Sequence, residues 1–65
     1  MSSWEFLDYQ AILKGLVNPE LRRERLEYVL RAVHMFDRKD EKIGSFSGGM
    51  KQRIGIAQTL LNLPR

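Results

Sequence analysis

Sixty-five residues limit this chain to one domain at most, of a size that buries only about 60% of the surface its unfolded chain exposes. It has no cysteine, so no disulfide framework or thiolate metal site is available, and the lone His34 cannot build a histidine metal site. The net charge of +3 comes from eleven basic residues interleaved with eight acidic ones, which reads as a solvated, ion-paired surface rather than a phosphate-tracking stripe. No apolar run approaches the roughly 18 residues of a membrane span. Met1-Ser2-Ser3-Trp4 lacks the basic start and apolar block of a signal peptide, so the expectation is a soluble, cytoplasmic chain.

The pattern predicts three helices, no strand and no internal repeat. The first runs from about Ser3 to Lys14. Ser2-Ser3-Trp4-Glu5 has the form of a capping box with Ser2 as N-cap, and Gly15 stands where a left-handed residue ends a helix. Two apolar rows recur at helical spacing: Trp4, Leu7 and Ala11 form one, and Phe6, Tyr9, Leu13 and Leu16 the other. A stripe this broad predicts contact with more than one neighbour, with Trp4, Phe6 and Tyr9 read as core.

The second helix opens at Asn18-Pro19, a favoured N-cap followed by a favoured first helical residue, and Glu20 suits the positive end of the dipole. Leu26, Val29, Leu30 and Val33 mark its buried face. Arg23 with Glu27, and Glu24 with neighbouring arginines, are placed to pair along the outer face for about 0.2–0.5 kcal/mol each. The helix is expected to end near His34 or Met35, with Phe36 closing the core. Residues 37–42 alternate charge without periodicity and read as a solvated connector.

The third helix begins at Ser47. Met50, Ile54, Ala57 and Leu61 share one face, Ile56, Leu60 and Leu63 broaden it, and Pro64 stops the pattern. Gly55, inside the helix, costs up to about 1 kcal/mol relative to Ala and suggests close helix packing.

The chemistry concentrates in Phe46-Ser47-Gly48-Gly49-Met50-Lys51-Gln52-Arg53. Two adjacent glycines at a helix start cost backbone entropy and are not needed to begin a helix. Their physical use is to let something approach the backbone where unpaired N–H groups and the dipole favour an anion. Ser47 adds a hydroxyl donor, and Lys51 and Arg53 add positive charge. On local chemistry alone a second reading stands beside this one: Ser47 as a plain N-cap and the glycines as a plain turn.

The stretch from Phe46 through Leu61 resembles the signature motif and following helix of ABC ATPases, usually written LSGGQ. The segments Trp4–Tyr9 and Leu13–Leu16 resemble the first helix of that family's helical subdomain, so the resemblance covers nearly the whole chain. Phe46 stands for the usual Leu and Met50 for the usual Gln. Met50 brings no polar side chain, so any nucleotide contact there is through backbone only or absent. His34 stands where the family tends to have Gly ending the second helix.

The resemblance implies an all-α, three-helix subdomain over residues 1–65 with its signature at 46–50, belonging to a larger α/β ATPase. The Walker A loop, the Walker B strand and the switch histidine are absent from this sequence, and the family's Q-loop glutamine would precede it, so Gln10 does not take that role. It further implies that Ser47, Gly48, Gly49 and Met50 contact the γ-phosphate of ATP held by a second ATPase subunit in a head-to-tail dimer. Mg²⁺ would belong to the missing core. The subdomain would couple ATP binding and hydrolysis to transmembrane transporter subunits, with the parent peripheral on the cytoplasmic face of the cell membrane. The chain alone is expected to be catalytically inactive.

Two other readings are weighed against this one. A small helical protein-interaction module needs the Gly-Gly pair to be a turn only. A helix-turn-helix nucleic-acid binder is disfavoured because the third helix carries a wide apolar face where base-reading polar residues belong.

Overall fold

The computed structural model describes residues 1–62, which form three α-helices: α1 (Ser3–Leu13), α2 (Pro19–Ala32) and α3 (Gly48–Asn62). The expected positions of Leu63 and Pro64 at the end of the third helix lie outside the described residues. Single 3₁₀ turns at Phe36–Arg38 and Ile43–Ser45 interrupt the connector between α2 and α3. The fold is all-α, as the periodicity predicts.

Local chemistry sets the helix starts. The Ser2 hydroxyl accepts from the Glu5 amide at 3.1 Å, and the Glu5 carboxylate accepts from the Ser2 amide at 2.9 Å, completing the capping box. The Asn18 side chain accepts from the amides of Glu20 and Leu21, with Pro19 in the first turn of α2. The capping bonds to Ser2 hold the Glu5 carboxyl below its usual value of 4.5. A carboxyl depressed in the folded state contributes stability that is present above its unfolded pKa and is lost as pH falls through the folded one. Acidification below about 4.5 is therefore expected to loosen the start of α1, as read by the temperature dependence of its amide shifts. Glu5→Gln keeps an acceptor at this position and is expected to remove that pH response.

Both α1 and α2 end in a Schellman motif. At the first, the Leu16 amide reaches the Ala11 carbonyl and the Gly15 amide the Ile12 carbonyl, with Gly15 at φ +91°. At the second, the Met35 amide reaches Leu30 and the His34 amide reaches Arg31, with His34 at φ 60°. So the last helical residue of α2 is Ala32, two to three residues before the expected end, and the left-handed position that closes it falls on His34. That conformation costs an L-residue roughly 1–2 kcal/mol, partly offset by the greater unfolded-state entropy of glycine. His34→Gly is expected to raise stability by up to about 1 kcal/mol and Gly15→Ala to lower it by about as much. Urea midpoints of the two variants moving in the same direction would contradict this.

All three helices touch one another. Their shared core contains Leu7 and Ala11 from α1, Leu26, Val29, Leu30 and Val33 from the second helical stretch, and Ile54, Ala57 and Leu61 from α3, together with Met35 and Phe46 from the connector. The predicted face of α2 is buried in full. On α1 the Trp4–Leu7–Ala11 row faces inward, and Trp4 and Phe6 pack at the core edge, but Tyr9 and Leu13 remain 55% and 61% exposed. Tyr9 is therefore a surface residue and not the core aromatic the spacing predicts. A three-helix arrangement covers one side of α1 only, so the second apolar row is split: Phe6 and Leu16 reach the core edge, and Tyr9 and Leu13 stay open. Phe36 sits at the core edge, while Met35, just beyond the periodic stretch, is 1% exposed.

Two further expectations are corrected. The arginines and glutamates on the outside of α2 form no ion pairs among the described residues. The cation that matters there is Arg22, whose Nε lies 2.5 Å from Asp8 on α1 and whose Nη1 donates to the carbonyls of Leu16 and Val17. This half-buried clamp fixes the α1–α2 turn and exceeds a surface pair in value, since charged hydrogen bonds are worth about 1.5–3 kcal/mol. Gly55 does not mark close packing, because a Cβ built there meets nothing within 4 Å. The connector is largely exposed, as expected of a solvated segment, and the structure adds that backbone bonds tie it to residues 1–4.

Candidate functional site

The start of α3 is positioned from both sides by apolar anchors. Phe46, 6% exposed, locks the chain into the core immediately before Ser47, and Ile54, 3% exposed, does so two turns into the helix. Between them the chain rises to the surface: Ser47, Gly48 and Gly49 are all exposed. The Ser47 carbonyl accepts from the Lys51 amide at 3.0 Å and its hydroxyl accepts from the Met50 amide at 3.2 Å, so Ser47 is the N-cap of α3. A hydroxyl that accepts in this way keeps its own O–H free to donate.

The plain-cap reading is therefore present in the geometry, and it uses only part of it. The amides of Gly48 and Gly49 find no acceptor among the described residues. Neither glycine has a positive φ, and a Cβ built on either meets nothing within 4 Å. No turn conformation and no close neighbour among the described residues requires glycine here. What glycine provides is bare, outward-facing backbone at the positive end of a helix, with Lys51 and Arg53 also exposed.

Met50 differs from the other three predicted site residues. Its amide is taken by Ser47, and its side chain packs against the core. The sequence brings Ser47, Gly48 and Gly49 together at the surface and turns Met50 inward.

The helix start is exposed over Ser47, Gly48 and Gly49. An open recess lined by Arg31, His34, Phe36 and Asp37 contains no residue of the Phe46–Arg53 segment. A helix start with two free amides and one hydroxyl can grip part of an anion but cannot enclose a nucleotide. Among the described residues no three His, Cys, Asp or Glu side chains cluster to hold a metal ion, and no helix is long and apolar enough to cross a membrane. Gln10 accepts a hydrogen bond from Gln58 at 3.1 Å, linking α1 to α3.

Sequence reasoning overlooked the connection behind the site. The connector leading to Phe46 is hydrogen-bonded by its backbone to residues 1–4, and backbone pairing of this kind leaves no mark in the choice of side chains.

The class that fold and site define is a small three-helix unit with an exposed Ser-Gly-Gly helix start. The family model described as ABC transporter matches residues 4–65, and this chain belongs to that family. It is similar to the uncharacterized ABC transporter ATP-binding protein YxlF of Bacillus subtilis, at 38% identity over all of this chain and 22% of the relative. The linearmycin resistance ATP-binding protein LnrL of the same organism is 36% identical over 98% of this chain and 20% of its own length. A methionine import ATP-binding protein, MetN 1 of Bacillus cereus, is 42% identical over 80% of this chain and 15% of its own. The chain thus spans about a fifth of the length of these curated relatives. No solved structure matches it.

Proposed function

We propose that this chain is the signature-bearing helical subdomain, residues 1–65, of an ABC transporter ATP-binding subunit, and that Ser47, Gly48 and Gly49 contact the γ-phosphate of ATP held by a second such subunit. The observation that carries the reading is the pair of exposed amides at Gly48 and Gly49, which find no acceptor among the described residues and where none of those residues requires glycine. The residues fit the group: two amides, the Ser47 hydroxyl and the positive end of α3 all favour a phosphate oxygen. The exposure of Ser47, Gly48 and Gly49 leaves them open to another surface, which supports contact in trans. Met50 contributes through packing.

The chemistry asked of these residues is positioning and charge stabilisation of a phosphoryl group. Mg²⁺ and the groups that hold the α- and β-phosphates belong to the rest of such a subunit, and the 65-residue chain alone is expected to turn over no ATP.

The subdomain would sit on the cytoplasmic face of the cell membrane, peripheral to transmembrane subunits. Tyr9 and Leu13, one turn apart on α1, and Leu21 and Tyr28, two turns apart on α2, are exposed apolar side chains suited to meeting such a partner. Through that contact it would couple ATP binding and hydrolysis to the transporter. Tyr9 is open to such a partner, while Trp4 and Leu16 pack at the core edge.

The test is a transplant. This chain replaces the aligned stretch of the Bacillus subtilis relative YxlF, and ATP hydrolysis is measured with and without Gly49→Asp. Turnover that ignores the substitution would overturn the reading and favour a plain interaction module.

A further inference from the structure

Residues 1–4 and 39–43 are joined by a short antiparallel strap. The Ile43 amide donates to the Met1 carbonyl at 2.9 Å, the Trp4 amide donates to the Lys39 carbonyl at 3.0 Å, and Ser2 and Lys42 form an antiparallel bridge pair. The Lys39 ammonium also lies 5.7 Å from the centres of the Trp4 and Phe36 rings, within cation–π reach of both. The capping box binds residue 2 to residue 5, so the strap is anchored to the first turn of α1.

On the other side, the strap runs directly into the site. The Lys42 carbonyl accepts from the Ser45 amide at 3.0 Å and from the Ser45 hydroxyl at 2.7 Å, and the Ile43 carbonyl accepts from the Phe46 amide at 3.0 Å. Each of these bonds spans three residues, so the segment from Lys42 to Phe46 is a tight turn with little slack. Phe46 is buried, and Ser47 follows it.

We propose that this strap is a conformational relay: residues 1–4, held against residues 39–43, set the position of the Phe46–Ser47 hinge and so the order of the α3 start. Release of the strap frees the Ile43–Ser45 turn and loosens the Ser47 cap on Met50, while the α2 helix stays formed. A displacement applied at residues 1–2 thereby reaches Gly48 and Gly49 through backbone bonds, without crossing the core. The relay concerns the order of the helix start, and it stands whether or not that start meets a phosphate.

Amide hydrogen exchange of the 65-residue chain tests it. Ser2→Cys combined with Lys42→Cys places two thiols on a bridge pair flanked by the Met1–Ile43 bond. In that non-hydrogen-bonded arrangement Cα atoms lie about 4.5 Å apart, inside the range a disulfide spans. Comparison of the reduced and oxidised forms of one protein isolates the strap. Oxidation is expected to slow exchange at Phe46 and Met50 by about tenfold, and slowing by less than about threefold at either amide would overturn the relay. If the paired-cysteine protein does not fold or does not cross-link, the unmodified chain decides. There the amides of Trp4, Ile43, Phe46 and Met50 are expected to open as one unit, with protection agreeing within about threefold. A Met50 amide whose protection departs from that of Ile43 by more than this removes the proposal.

Discussion

With this chain in place of the aligned stretch of a full-length relative, Gly49→Asp is expected to lower ATP turnover by about 100-fold or more, with no loss of helix stability. The two halves of that expectation come from different physics. Losing the contact of one donor aimed at charge that develops in a transition state typically costs about 10²–10³ in rate; Gly49→Asp would keep the backbone amide but set a carboxylate between the amides and the phosphate. For the helix itself the same change is benign. A Cβ at position 49 meets nothing within 4 Å, and an acidic side chain in the first turn interacts favourably with the dipole by about 0.3–1 kcal/mol. Gly49→Ala serves as a graded control, since it adds bulk without charge and should lose less activity than Gly49→Asp. Nucleotide binding to the Walker A loop of the same subunit, measured with a fluorescent ATP analogue, should be retained. A variant that folds, binds nucleotide and hydrolyses it at the parental rate would leave Gly48 and Gly49 as a turn and nothing more.

Which parts of the architecture were legible follows from where the information lies. Helix starts are written in a few adjacent side chains, so Ser2 with Glu5 and Asn18 with Pro19 announce α1 and α2 without tertiary help. The end of α1 is equally local, because Gly15 takes the left-handed position that glycine favours. The end of α2 was harder to read because His34 adopts the same conformation with a side chain that gives no such signal.

The inward face of α1 is a tertiary fact. Two apolar rows compete on that helix, and only the docking of α2, α3 and the connector decides that Leu7 is buried and Tyr9 is not. At the candidate site, the oddity of two glycines at a helix start was visible in the sequence, and their exposure agrees with it. The inward turn of Met50 follows from its place on the apolar face that continues at Ile54 and Ala57. The strap was invisible, since main-chain pairing between residues 1–4 and 39–43 selects no residue type.

The second large effect is on folding. Leu30→Ala is expected to destabilise the chain by about 2–5 kcal/mol, the usual range for truncating a fully buried leucine. Leu30 is 0% exposed and lies on α2, the helix that packs against both of the others. Native domains hold about 0.05–0.15 kcal/mol of stability per residue, so a chain of this length has on the order of 3–10 kcal/mol in all. One methyl-lined cavity at that position removes much of it, and a small core has few other layers across which to relax the loss.

Leu21→Ala supplies the contrast, because Leu21 is 53% exposed and a surface substitution should stay within about 0.5 kcal/mol. Urea unfolding followed by far-ultraviolet circular dichroism reads both, and equal midpoints for the two variants would contradict the packing described for α2. The consequence extends to the helix start. Phe46 and Ile54, the anchors on either side of Ser47-Gly48-Gly49, belong to the same buried cluster as Leu30. The exposed amides rest on that cluster as well as on the turn that leads into Phe46, and they lose their footing when it unpacks. Leu30→Ala is therefore expected to lose protection at the Met50 amide together with the core, whereas Gly49→Asp leaves the core intact and removes only the contact it makes with an outside partner.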